Sequence, residues 1–257
     1  MNSVLIVKLC AGPLVIALAS LAGKRWGPTF AGLIGGLPLI ASCVMVTLWL
    51  AYGQDYTMAT AFSAPSGLWA NALYMIALGW SARRFGWAGM LACGWAVYLV
   101  SAWALAASGL AQQDWVRWGA IPALWGALYL LPAIDGAPIP RPLPHSELFA
   151  RMAVALALVA TLTTLSQQLG TSLTGVLSGG PVAATVIPAF TRARGDSNGV
   201  VYQVRGFLIG LIGFGLSFLL LVPLAGHIGA WAALPAALVA AGTSLALNWF
   251  SRRRSRT

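Results

Sequence analysis

Charged side chains are scarce in this 257-residue chain. Asp, Glu, Lys and Arg together make up 8% of it, whereas 59% of its residues are hydrophobic. A typical globular chain is about one quarter charged, and a soluble fold of this length needs a polar surface that so few charges do not provide. The composition therefore excludes an ordinary soluble domain and predicts an all-α, polytopic membrane protein.

Acids, histidine and cysteine are also rare, with five, two and three residues respectively. All five acids fall in predicted loops or at helix ends, so no carboxylate stands at mid-membrane to carry a proton or bind Na⁺. The histidines lack a metal-ligand pattern, and the cysteines fall in apolar runs as packing residues. No nucleophile elbow or phosphate-binding loop is present. We therefore expect neither an enzyme nor a metal or cofactor.

The net charge of +10 is of the kind found in proteins that bind nucleic acid. In this chain, however, the basic residues stand at the ends of apolar runs, and such positions are typical of topology signals in membrane proteins. A nucleic-acid interface would instead gather them on one polar face. The expected partner is therefore the lipid bilayer and not nucleic acid.

Nine apolar runs are long enough to be transmembrane helices, because about 20 residues cross a hydrocarbon core of roughly 30 Å. They span 3–22, 30–51, 60–80, 86–107, 116–134, 149–166, 172–190, 206–225 and 229–249. The fifth run is the least regular, since it contains Arg117, Pro122 and Pro132. The proline-rich segment that follows it, 135–147, is typical of an extended strap.

The chain contains an internal repeat, in which GLIGGLPLIAS (32–42) lies over GVLSGGPVAAT (175–185). The ungapped alignment pairs four identical residues: Gly32 with Gly175, Gly36 with Gly179, Pro38 with Pro181, and Ala41 with Ala184. Such self-similarity indicates a duplicated unit. We predict four-helix repeats at 1–114 and 144–257, joined at 115–143 by one transmembrane helix and the strap.

The basic loops lie on opposite sides of the two repeats. In the first repeat they follow helices one and three, and in the second they follow helices two and four: Lys24, Arg25, Arg83 and Arg84 against Arg192, Arg194, Arg205, Arg252, Arg253, Arg254 and Arg256. Cytoplasmic loops carry the excess of Lys and Arg. An inverted 4+1+4 arrangement, with the N-terminus outside and the C-terminus cytoplasmic, satisfies this rule for every base except Lys8 and Arg117.

Inverted repeats are common in secondary transporters and some channels, whose solute site lies at the repeat interface near mid-membrane. A proline inside a helix frees backbone carbonyls, here near Ile34 and Leu177. Free backbone at that depth needs protein or a water-filled cavity to satisfy it. We predict a solute site of repeated glycines, prolines and hydroxyls with a basic residue near each face: Gly35, Gly36, Pro38, Ser42, Thr174, Ser178, Gly179, Pro181, Thr185, Lys8 and Arg151.

A packing role is the alternative for the same residues. Gly-x3-Gly patterns at 32–36, 175–179 and 206–210 allow helices to approach closely without any solute. Lys8 and Arg151 either attract an anion or extend to the lipid headgroups. Two functions therefore stay open: a small-solute transporter or channel, with an anion favoured over a cation, and a non-transporting assembly or regulatory protein. An enzyme acting on a lipid headgroup is a distant third.

Each half resembles the GlpM-type four-helix inner-membrane proteins of bacteria. The features that carry the resemblance are an early basic residue in helix one, AGLIGGLPL (31–39) and a glycine-containing turn at 52–55, with TGVLSGGPV (174–182) and 194–196 as counterparts. The resemblance implies a multi-pass protein of a bacterial inner membrane and little about activity. The layout is also similar to fused dual-topology proteins such as the fluoride channels, whose motifs are absent here.

Overall fold

The computed structural model describes residues 3–136, 143–166 and 180–254, and over these ranges it consists of α-helices and short 3-10 turns without any strand. The all-α prediction is therefore confirmed. The helices are α1 (Ser3–Trp26), α2 (Pro28–Gly36), α3 (Leu39–Ser63), α4 (Leu68–Arg84), α5 (Trp87–Ala107), α6 (Asp114–Leu130), α7 (His145–Ser166), α8 (Val182–Ala193), α9 (Ser197–Ile228) and α10 (Ala233–Arg254).

The predicted helix 30–51 is interrupted. α2 ends at Gly36, and Pro38 (φ −73°, ψ 29°) precedes the first residue of α3. A proline has no N–H for a helical hydrogen bond, so it lies at the break and not within a helix. The expectation of a free carbonyl at Ile34 was wrong, because this oxygen accepts the N–H of Leu37 at 3.3 Å.

Pro181 has the same local geometry in the second half of the chain. Its dihedral angles are φ −79° and ψ 53°, and it directly precedes α8. The amide of the residue after each proline donates to the carbonyl of the residue before it, at 2.8 Å in both cases. Each proline is therefore the centre of a three-residue turn that starts a helix.

A second pair of breaks follows at Gly53 and Gly195. Gly53 (φ 82°) interrupts α3, and Gly195 (φ 83°) separates α8 from α9. Positive φ values are available to glycine because it has no Cβ. Both predicted glycine-containing turns thus contain a residue in a conformation that other residues avoid.

α1 and α7 pack against each other in antiparallel orientation. A Cβ on Gly12 would lie 2.8 Å from the side chain of Val159, and Ser20 accepts a hydrogen bond from Arg151 at 3.3 Å. The contact partners thus follow each other in increasing order along α1 and in decreasing order along α7. The contact requires the small residue at position 12, because a side chain there would meet α7.

α9 lies at the centre of the described structure and packs on α2 with the two backbones in contact. A Cβ on Gly206 would lie 2.0 Å from the carbonyl oxygen of Thr29, and a Cβ on Gly32 would lie 1.9 Å from that of Gln203. No side chain fits at such distances. The packing role of the patterns at 32–36 and 206–210 is therefore observed directly.

Two helices of the described residues are long and apolar enough to cross a membrane, namely α5 and α9. They differ in environment, since 67% of the most apolar part of α9 is buried against 22% for α5. α9 is thus the central helix of the fold, whereas most of α5 faces outward. Its exposed side chains include Val100 and Trp103, at 66% and 63%.

Three of the four ion pairs of the described residues lie at one end of the helices, and the fourth, between Arg117 and Asp114, lies at the start of α6. Arg83, at the end of α4, binds Asp135 at 2.7 Å, and Arg192, at the end of α8, donates to the carbonyl of Ala82 at 2.7 Å. Glu147, in the first turn of α7, binds a second pair of arginines, Arg151 and Arg194. Buried charges are tolerated when they are paired in this way.

Candidate solute site

A partly open cavity of about 380 Å³ lies between α3, α9 and α10. It reaches from Pro38, at the break between α2 and α3, to Gly229, which follows α9. Its volume is within the range of small-molecule sites, roughly 300–1,000 Å³. Among the predicted site residues, Pro38 and Ser42 line this cavity.

The cavity is apolar apart from three hydroxyl groups. Its described lining consists of Pro38, Ser42, Met45, Trp49, Thr57, Met58, Ser217, Phe218, Leu221, Gly229, Ala233, Ala236 and Ala237, none of them charged. Thr57 and Ser217 donate to carbonyls of their own helices, at 2.8 and 2.7 Å. Ser42 is exposed and makes no such bond in the described structure. It is therefore the hydroxyl available to a ligand.

Thr185 and Pro181 lie in a filled region. Both are buried, and the Thr185 hydroxyl donates to the Pro181 carbonyl at 2.7 Å. The hydroxyl of Tyr74 lies 2.9 Å from that of Thr185. Because the Thr185 proton is already directed to Pro181, Tyr74 is the donor of this bond. The Tyr74 ring is fully buried, and its hydroxyl also lies 3.4 Å from the carbonyl oxygen of Ala184. It therefore fills the space beside the first turn of α8, which we call the space in front of Pro181.

The alignment that pairs Pro38 with Pro181 also pairs Ser42 with Thr185 and Ser217 with Tyr74. Three positions of the cavity, Pro38, Ser42 and Ser217, thus align with Pro181, Thr185 and Tyr74 of the filled region. The helix that begins after Pro38 borders an open space, which Ser217 also lines. The helix that begins after Pro181 has the ring of Tyr74 in the corresponding space.

The repeated segments meet near the centre of the molecule. Gly35 lies against α8, since a Cβ added to it would be 3.1 Å from the Cβ of Ala183 and 2.4 Å from the ring of Phe207. Gly36 packs on α9, where a Cβ would lie 2.5 Å from the carbonyl oxygen of Phe207. Both glycines therefore pack against helices, and neither lines the cavity.

Arg151 is occupied by protein contacts. Its guanidinium donates to Glu147 at 2.7 and 3.0 Å, and 7% of its side chain is exposed. It also lies 5.3 Å from the centre of the Phe190 ring. An ion pair that is already formed offers little attraction to a passing anion. Arg151 therefore holds α7 to α1 and α8.

The remaining predicted site residues lie wholly or partly outside the described structure. Lys8 lies in α1, and its side chain is outside the described structure. Thr174, Ser178 and Gly179 are outside the described residues, as is Gly175, which was paired with Gly32.

Tyr74 and Ser217 are the site residues that the sequence reasoning missed. Each is a hydroxyl-bearing residue within a predominantly apolar helix, and the two are aligned in the predicted repeat. The signal was therefore present in the alignment. Sequence identity does not reveal this correspondence, because the two residues differ.

Comparisons with protein families, with curated proteins and with solved structures find no match for this chain. The described residues contain no group of His, Cys, Asp or Glu that is suited to a metal ion. The site is thus defined by its own geometry: one apolar cavity at Pro38 and one filled counterpart at Pro181.

Proposed function

We propose that this chain is a membrane transporter or channel for a small solute, with the site at Pro38. The observation that carries the proposal is the open cavity at the helix break of Pro38, whose counterpart at Pro181 is filled by Tyr74. In transporters with inverted repeats, the solute site lies at the repeat interface and is formed by discontinuous helices. A cavity that starts at such a helix break is the expected place for a solute.

The proposed layout is the inverted pair of four-helix repeats, 1–114 and 144–257, on either side of the linker 115–143. The antiparallel contact of α1 with α7 favours it, because these helices are equivalent in the alignment and inversion requires opposite directions. The aligned breaks at Pro38 and Pro181 favour duplication, and so do the breaks at Gly53 and Gly195, which lie one position apart in the same alignment. Discontinuous helices of this kind surround the solute in many transporters.

The proposed location is a bacterial inner membrane, with the ion-paired end of the helices in the cytoplasm. That end carries Arg83, Arg151, Arg192 and Arg194, in agreement with the positive-inside rule. The cavity extends from Pro38 toward Gly229, at the far end of α9 from its basic N-terminal turns. In this orientation it opens to the outside.

The solute is proposed to be uncharged. The described lining of the cavity has no ionisable side chain, and a charge without a partner is costly in apolar surroundings. Arg151, one of the two bases that favoured an anion, is held by Glu147. Transport is also proposed to proceed without a carboxylate relay, because none of the described residues that line the cavity is acidic.

The orientation of the repeats is testable by labelling Arg84 and His227, which occupy equivalent, exposed positions at the ends of α4 and α9. In a chain whose cysteines are replaced, Arg84→Cys is expected to react with an impermeant maleimide from the cytoplasmic side, and His227→Cys from the outside. The two variants are matched controls for each other. Labelling of both from the same side would contradict the inverted layout.

Transport itself is testable in liposomes by stopped-flow light scattering. Gradients of glycerol and 1,2-propanediol are expected to relax faster than in empty liposomes, whereas potassium formate and phosphate are not. Ser217→Tyr is expected to remove the difference because the larger side chain fills the cavity. Ser217→Ala should retain it. Absence of accelerated flux for all four solutes, with folded protein, would contradict transport and favour the assembly or regulatory alternative.

A further inference from the structure

The side chain of Tyr74 occupies the filled site in the way that a bound phenol would. Its ring contacts Trp95 and Tyr98 edge to face, with ring centres 6.1 and 6.0 Å apart, and its hydroxyl bonds to Thr185 at 2.9 Å. Gly94 makes room for the ring, since a Cβ there would be 2.9 Å from it. The site in front of Pro181 is thus occupied by a phenol attached to α4.

The open site has a hydroxyl group at the position aligned with Thr185, but no phenol beside it. Ser42 takes the place of Thr185, and Ser217 takes the place of Tyr74. The cavity is thus lined at both aligned positions by a serine, and its volume of about 380 Å³ is larger than a phenol ring. On the basis of the repeat proposed above, we infer that this cavity binds a small uncharged phenol, with its ring beside Ser217 and its hydroxyl on Ser42.

The lining suits an aromatic ring. Trp49 and Phe218 line the cavity, and contacts between aromatic rings stabilise a pair beyond the area that they bury. Met45 and Met58 add flexible thioether groups that adapt to a ring and favour its edge. A free phenol of this kind is larger than water and smaller than the cavity, so it enters without displacing a helix.

The test is binding to the full-length protein in detergent micelles, followed by ¹⁹F NMR with 4-fluorophenol and with fluorobenzene, which lacks the hydroxyl. 4-Fluorophenol is expected to bind one site, at least about fivefold more tightly than fluorobenzene, because it adds a hydrogen bond. Ser42→Ala should remove this preference and leave fluorobenzene binding unchanged. Equal affinity of the two probes for the unmodified protein would overturn the inference.

Substitutions at the two equivalent positions locate the site. Ser217→Tyr is expected to abolish binding of both probes, whereas Ser217→Ala retains it, and both variants share the same micelle background. Tyr74→Ser is expected to open the second site and raise the stoichiometry from one to two. Binding that persists in folded Ser217→Tyr would overturn the inference. Binding without any solute flux would instead contradict the proposed transport alone.

Discussion

Cysteine in place of Ser42 is expected to react rapidly with methyl methanethiosulfonate in detergent-purified protein, whereas cysteine in place of Thr185 is expected to react about 100-fold more slowly. Ser42 lines the open cavity, and Thr185 lies behind the Tyr74 ring. Reaching position 185 requires the ring to move, which costs about 3 kcal/mol in burial and hydrogen bonding. Every 1.4 kcal/mol corresponds to about a factor of ten.

A second substitution in each single-cysteine protein is expected to reverse the difference between the two reaction rates. Tyr74→Ala in the Thr185→Cys protein should bring its reaction close to that of Ser42→Cys, because the space in front of Pro181 is then empty. Ser217→Tyr in the Ser42→Cys protein should slow its reaction by a similar factor. Both faces are accessible in detergent, so the result does not depend on topology. Equal rates for the two single-cysteine proteins would contradict the assignment of one open and one filled site.

Gly206→Leu is expected to cause the largest loss of stability among single substitutions on α9. A Cβ at this position would lie 2.0 Å from the carbonyl oxygen of Thr29, which belongs to the backbone of α2 and cannot rotate away. The two helices would have to separate, and overpacking of this kind costs about 3 kcal/mol or more. The expected change is a fall of about 10 °C in the unfolding midpoint, measured by size exclusion after heating.

Gly226→Leu is the matched control. Gly226 lies in the same helix, it is exposed, and a Cβ there would have nothing within 4 Å. Replacing glycine in an exposed helical position removes conformational freedom from the unfolded chain, so the midpoint should stay unchanged or rise slightly. A similar fall for both variants would mean that helical glycine in general, and not the α2–α9 contact, determines the stability.

Much of the secondary structure was predictable from hydropathy. The runs at 3–22, 86–107 and 149–166 correspond to α1, α5 and α7 within a few residues at most ends. Hydropathy failed at the break at Pro38, because the residues around it are as apolar as a continuous helix. It also underestimated α9, whose first turns, Ser197–Arg205, contain polar residues that nevertheless pack inside.

The site was partly predictable. The repeat identified Pro38, Pro181, Ser42 and Thr185, which lie at the open and filled spaces. It did not predict the burial of Thr185 or the ion pair of Arg151, since both depend on residues from other helices. Nor did it distinguish packing glycines from lining residues. Gly36 packs against backbone, whereas Pro38, two residues later, faces the cavity.

The sequence by itself determined the all-α class and the apolar character of the chain, because these follow from composition, and it marked the prolines and glycines at which the structure has its breaks. The tertiary structure decided which break faces an open space. Serine at 217, in α9, lines the open cavity, whereas tyrosine at 74, in α4, fills the space beside Thr185. The contact joins residues about 110 positions apart, and local sequence pattern carries no information on it.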